Sequence, residues 1–432
     1  MHMLLLLSLS LAFFSCSPGH NGSNEIAFLR AGHLWTIDPD GANAFEVVAQ
    51  DTAVIGYSWS PTHQIFAFRA LDADFAKTAT AKQLTSNPIT GLLGDAPSSI
   101  NTVGIDGGSP IPTMLSSTDT LYSNPIWNPT GTRLVYRQES SASSHPAGNA
   151  FWWIAQNDQP VGIATQLLPS SYSVPSFAYT DSLAAGNSRQ GLFTVRLDGT
   201  HLRYLVHGTL LGHPLSASLE RILWQPAHRH PSLLYATKTE SSTRVAITLY
   251  DTATDRTKTL VTCNCTQFAW SPDGNAVLYS TSSSYTVLHL DDDTSTTIIA
   301  EQGSVPYWSP DSKFLLLDGP HGLLLVQIAE KQQQVIFTDL TASVGPASSV
   351  ASADANTLLQ PVTNSPWAAD SRHFLFLTHS RLSLQGHALK PGLYTIALDT
   401  HGRLQEAPTF VDGGNDTQAA WTYQDANTSF LY

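Results

Sequence analysis

Cys263-Asn264-Cys265 is the tightest pairing of reactive side chains in the sequence. Residues i and i+2 of a strand point the same way but sit near the upper Cα separation for a bridge. The pair therefore reads as a disulfide, as adjacent free thiols, or as two thiolate ligands for a metal. No CxxC or paired-His spacing completes a zinc site around it. His228 and His230 flank Arg229 in a turn, where solvent-exposed histidine is ordinary. Asp291-Asp292-Asp293 reads as a solvated turn, because a calcium loop needs more oxygens at defined offsets. No glycine-rich phosphate loop is present. These candidates name no reaction, and no cofactor or metal is expected.

Composition narrows the classes further. Only 13% of the 432 residues are charged, and the net charge is −13. Such a low charge fraction with abundant Ser and Thr fits an exported all-β protein better than a cytosolic helical one. The 21 Lys and Arg residues are scattered, so no electrostatic footprint for nucleic acid forms.

The elements that must position any site come from one repeated unit. Phe268–Ser280, FAWSPDGNAVLYS, reads strand, tight turn, strand. Pro272 presets φ, Asp273 tolerates the bridge conformation and Gly274 supplies the left-handed residue that closes a hairpin. Copies recur at Tyr57–Phe68, Pro125–Tyr136, Ile222–Tyr235, Pro306–Leu317, Ser365–Leu377 and from Ala419 to the end of the sequence. Seven tryptophans therefore hold one structural place: Trp59, Trp127, Trp224, Trp270, Trp308, Trp367 and Trp421.

Third strands with their turns recur as GLFTVRLDG, YTVLHLDDD and GLYTIALDTHG, and a fourth strand follows each. The expected architecture is all-β: a β-propeller of four-stranded antiparallel blades. The interval from Trp127 to Trp224 is 97 residues, about two periods, and it contains Ser176–Gly199, a repeat without its tryptophan. Counting that repeat gives eight blades; treating it as an insertion gives seven. Because the chain opens on a second strand at Glu25 and closes on the Trp421 hairpin, its ends are expected to meet within one blade. Trp152 and Trp153 alternate on one strand and should each pack a neighbouring blade, with a stacking platform as the other reading.

Loop lengths point to a binding face. In a four-strand meander the first and third turns share one end, and the second turn and the inter-blade link share the other. The short motif turns belong to the first end. The long segments belong to the second: Ala70–Ser99, Gln138–Asn149, Ser182–Gln190, His207–Leu219, Thr341–Asn364 and Arg381–Pro391. Candidate ligand-binding residues there are Phe75, Arg137, His145, Arg189, His213 and Arg381, which offer an aromatic body or a polar donor. No catalytic role falls on any of them. The expected partner is a protein, peptide or glycan, and the expected state is monomeric. An enzyme site at the channel mouth is the alternative function.

The W-S-P-D-G hairpins, closest at Trp270–Gly274 and Trp308–Ser312, resemble those of the TolB-type propeller family. The resemblance covers residues 25–432 and implies the propeller fold. TolB itself carries a separate α/β domain ahead of its propeller, so its envelope role does not transfer. Prolyl-oligopeptidase-type peptidases pair a similar propeller with a hydrolase domain, but this sequence contains no G-x-S-x-G elbow to supply a nucleophile. Residues 1–16 carry an apolar core from Leu4 to Phe14 and read as an export signal, followed by a linker over 17–24 and the propeller over 25–432. Ser15-Cys16 resembles the lipobox of bacterial lipoproteins, which implies acylation at Cys16 and a membrane link through that anchor alone. An ordinary secretory signal is the other reading.

Overall fold

The computed structural model describes residues 25–48, 52–78, 97–117, 120–140, 151–156, 161–168, 176–178, 183–188, 190–207, 222–226, 232–238, 244–281, 283–300, 304–319, 322–329, 332–338, 366–378, 382–384, 387–405, 407–413 and 416–422. They form an eight-bladed β-propeller of antiparallel meanders. Blade 1 joins the two ends of the chain, with Asp416–Trp421 innermost, then Ile26–Arg30, His33–Ile37 and Phe45–Glu46. Its closing register sets Ile26 against Trp421, and Thr422 N–H donates to Glu25 O at 2.8 Å.

Blade 2 follows as Val54–Trp59, Ile65–Leu71, Ser98–Gly104 and Gly107–Met114. In blade 3 the inner strand is split into Thr120–Tyr122 and Ile126–Trp127, both paired with Arg133–Ser140. Ser176–Phe177 opens blade 4, so the repeat lacking a tryptophan is a full blade and the count is eight. Blades 5, 6 and 7 begin at Ile222, Phe268 and Val305. Blade 8 keeps three strands, His373–Thr378, Gly392–Ala397 and Thr409–Asp412, and its innermost position is a single bridge from Trp367 to Phe374.

The repeated tryptophans sit between blades and are stitched to the ring. Indole N–H groups of Trp127, Trp224, Trp270, Trp367 and Trp421 donate to the carbonyls of Ser58, Ser176, Leu223, Tyr307 and Pro366 at 2.8–3.3 Å. Four of those acceptors lie one residue before the tryptophan of the preceding blade. The fifth, Ser176, lies one residue before Phe177, which identifies Phe177 as the occupant of that place in blade 4. Trp127, Trp270, Trp367 and Trp421 are among the most deeply buried large side chains described. Apolar clusters fill successive inter-blade gaps, so strands such as Phe314–Gly319 are buried on both faces. Trp153 packs half-buried into the cluster between blades 2 and 3, as an inter-blade residue rather than an open platform. The side chain of Trp152 lies outside the described residues.

The motif turns are built as their composition dictates. Gly274 takes φ 72°, Ser271 Oγ donates to Asp273 Oδ1 at 2.6 Å and accepts from Ala276 N–H at 2.9 Å. Ser309 and Asp311 repeat the arrangement in blade 7. Neighbouring turns are also joined: Asp273 N–H donates to Ser312 Oγ, Asp311 N–H to Ser371 Oγ, and Gln225 Nε2 to Gly274 O.

Candidate functional site

Antiparallel order places every second-to-third connection and every inter-blade link at one end of the ring. The strand ends that flank 72–97, 141–150, 208–221 and 339–366 all lie there. Two of the expected loop segments fold instead. Leu183–Ser188 is the second strand of blade 4, because its small residues let the Phe193 ring lie over Gly186, where an added Cβ would come within 2.5 Å of Cζ. Arg381–Pro391 carries a hairpin of Leu382–Leu384 and His387–Leu389, with Leu384 and Leu389 buried against blade 8.

Of the candidate ligand-binding residues, the structure places two. Phe75 lies in a short helix, Ala73–Thr78, and packs half-buried against Ile55 and Leu71. Asp72 caps that helix: its Oδ1 accepts the N–H groups of Asp74 and Phe75, and its Oδ2 accepts Ser116 Oγ at 2.8 Å. The N–H of Phe75 first, and then Ser116, hold the Asp72 carboxyl below its ordinary range. Arg137 is exposed on the second strand of blade 3, with its N–H donating to Ser123 Oγ at 2.9 Å. Phe75 and Arg137 thus belong to adjacent blades at the same end. His145, Arg189, His213 and Arg381 lie outside the described residues, as do His228 and His230.

Between blades 2 and 3 lies a polar group absent from the candidates read in the sequence. Arg69 faces Gly56 and Ile100 in register, is 3% exposed, and donates from Nη1 to Tyr122 O. Burial pushes its guanidinium down to about 10, so it stays charged at neutral pH. Asn124, on the broken inner strand of blade 3, fills the space over Gly56, where a Cβ would stand 2.3 Å from Asn124 Oδ1. The rings of Tyr122 and Tyr136 meet edge to face at 5.7 Å. Burial raises both phenols, and Tyr122 adds to the effect on Tyr136. Asn124 Oδ1, Tyr136 Oη and Ser98 Oγ are buried with no hydrogen-bond partner from the protein. A signal for this group exists in FAFRAL, where arginine interrupts an apolar strand.

These side chains offer hydrogen-bond donors and acceptors. No three His, Cys, Asp or Glu side chains converge among the described residues. Cys263 and Cys265 form a disulfide with Cα atoms 5.1 Å apart, which settles the open reading of that pair. Asp292 is spent on its own turn, accepting from Thr294 N–H and Oγ1, and Asp293 meets Lys258.

No family model matches the chain, and no curated protein matches it. Among solved structures, a eukaryotic initiation factor is 12% identical, with a TM-score of 0.52 over 93% of this chain and 99% of that one. An oligogalacturonate lyase from Vibrio parahaemolyticus is 9% identical, with a TM-score of 0.47 over 87% of this chain and 97% of that one. TolB from Acinetobacter baumannii is 12% identical, with a TM-score of 0.33 over 85% and 82%. At such identity the likeness to the initiation factor speaks for the fold alone.

Proposed function

We propose that this chain is a non-catalytic, exported propeller, tethered to a cell envelope through Cys16, that binds a protein, peptide or glycan with its long-loop face. The observation that carries the binding role is that the longest connections, 72–97, 208–221 and 339–366, fall at one end of a ring whose other end has its turns joined by hydrogen bonds across blades 5 to 8. Loops on a rigid scaffold are where binding residues concentrate. The Phe75 helix and Arg137 belong to the described part of this face, as do the strand ends that carry Arg69, Tyr122 and Tyr136. The disulfide supports export, since such bonds persist in oxidising compartments. Net charge of −13 speaks against nucleic acid as the ligand.

The test replaces residues 79–96 with a short Gly-Ser turn and, in a second variant, alters the motif turn at Pro272-Asp273-Gly274. Loop length changes closure entropy slowly, so the first variant should fold. Binding is read on a glycan array and by crosslinking in the native host. Loss with the loop replacement alone supports the face. Unchanged binding there, with loss from the turn variant, reverses the assignment. Membrane fractionation of wild type against Cys16→Ser checks the tether, and recovery of both in the soluble fraction removes it.

A further inference from the structure

We propose that the rim shared by blades 2 and 3 rests against a lipid bilayer, so that the tethered propeller docks through an apolar edge. This rests on the tether at Cys16 proposed above. Ile111 and Leu115 are each 63% exposed at the outer strand of blade 2, and Val161 and Ile163 are 42% and 54% exposed in the turn before the outer strand of blade 3. Gly162 N–H donates to Thr113 O at 2.9 Å, which sutures the two segments midway between both pairs. Four of the six strongly exposed large hydrophobics among the described residues therefore share one patch.

The surroundings select the occupant. Neither Gly107–Ser117 nor Val161–Leu168 contains a charged residue or a histidine, and the carboxylates that border the patch are Asp106 and Asp72, the latter accepting from Ser116 Oγ. In contrast, the outer strand Arg256–Cys263 of blade 5 carries Arg256 and Lys258, the usual protection for an edge. Blade 2 has Pro110 and Pro112 there, which lack N–H groups and discourage pairing with another strand. Contact through side chains remains. Four partly covered aliphatics are far short of the roughly 20–30 residues per side that hold two free proteins together. A surface to which the chain is already tethered is different, because the translational freedom has been given up beforehand. Residues 17–24 span at most about 26–29 Å when extended, which keeps a ring entered at Ile26 of blade 1 close to the anchor, with blade 2 next to it. No helix among the described residues is long and apolar enough to cross a membrane, so contact from the rim is peripheral.

The experiment couples the thiol of Cys16, in a processed chain beginning there, to maleimide lipid in phosphatidylcholine vesicles. Cys16 is the one cysteine outside the disulfide. Hydrogen exchange over 107–115 and 161–163 is compared between tethered and free protein. The expected result is exchange slowed at least tenfold by tethering, unchanged in 0.5 M NaCl, and abolished as an effect in a variant carrying I111S, L115S, V161S and I163S. Equal exchange in tethered and free wild type overturns the proposal. Slowing in the free protein that grows with concentration assigns the patch to a second copy and overturns it too. Since the coupling is chemical, these outcomes do not depend on natural acylation, which mass spectrometry of the native N-terminus decides separately.

Discussion

Replacing Trp270 and Trp308 by phenylalanine, one at a time, isolates the hydrogen bond that stitches one blade to the next. Trp270 is fully buried, and its Nε1 donates to Leu223 O at 3.1 Å. Trp308 is 6% exposed, and its buried Nε1 has no hydrogen-bond partner from the protein. Both changes delete the same atoms, so the cavity contribution is shared to first order. Trp270→Phe additionally removes a buried hydrogen bond and leaves a carbonyl short of a donor, at about 1–2 kcal/mol. Trp308→Phe instead removes an unsatisfied N–H, which offsets part of its cavity loss by about 1 kcal/mol. Trp270→Phe should therefore be the more destabilising by about 2–3 kcal/mol, and Trp270→Ala should cost about 3–5 kcal/mol. Urea unfolding of the three variants, compared at a common m-value, measures this. Equal losses within about 0.5 kcal/mol, the usual scatter of such comparisons, or the reverse order would refute the stitching role.

Gly56→Ala should destabilise by about 1–3 kcal/mol, because its Cβ would meet Asn124, and adding Asn124→Gly should restore most of that loss in thermal melts. His373 Nδ1 lies 2.6 Å from Asp370 Oδ2. The bond to Asp370 raises His373 above 6.5, while at Asp370 burial works upward but is outweighed by the bonds from His373 and the Arg372 and His373 N–H groups, giving about 2. The histidine contribution is full below 6.5 and fades as pH rises through its folded value; the aspartate contribution is full above 3.8 and fades as pH falls toward 2. The stability gap between wild type and Asp370→Asn, followed as a Tm difference, should thus be widest between about pH 4 and 6.5 and correspond to under about 1 kcal/mol at this exposure. Cys263→Ser with Cys265→Ser opens a three-residue loop and should lower stability by about 1–2 kcal/mol on chain-entropy grounds, read as a shift in the urea midpoint.

The fold was legible because one turn chemistry repeats. Ser271-Pro272-Asp273-Gly274 specifies a hairpin locally, and the tryptophan beside it has a single use, so seven copies define a ring before any contact is known. Blade 4 was legible through spacing and strand pattern, although Phe177 had replaced the indole. The site was less legible. Arg69 sits in an apolar strand, and its significance depends on Gly56, Tyr122 and Asn124, which come from the inner strands of two blades and meet only when blades 2 and 3 pack. Ser182–Gln190 misled because alanine, glycine and serine read as loop composition, whereas the space they leave is what the Phe193 ring fills. Four of the six candidate ligand residues, His145, Arg189, His213 and Arg381, lie outside the described residues.

The two ends of the ring differ in what their backbone is already doing. At the motif-turn end, side chains that could meet a ligand are engaged in holding turns: Asp273 and Asp311 each bind their own serine, and the turns themselves donate to Ser312 and Ser371 on the next blade. Displacing those bonds would loosen the junctions between blades 6, 7 and 8. At the other end the links need only span from one blade to the next, and Leu290, Ile328 and Leu398 show how closely the opposite turns are tied by comparison, each donating its N–H to the turn before the second strand of its own blade. Insertions such as 72–97 therefore accumulate where they cost the ring little, and the Phe75 helix shows one such insertion ordering itself against Ile55 and Leu71 rather than against a neighbouring turn. A ligand that orders the rest of that face would add contacts without breaking any that close the propeller, which is the physical reason for assigning binding to it.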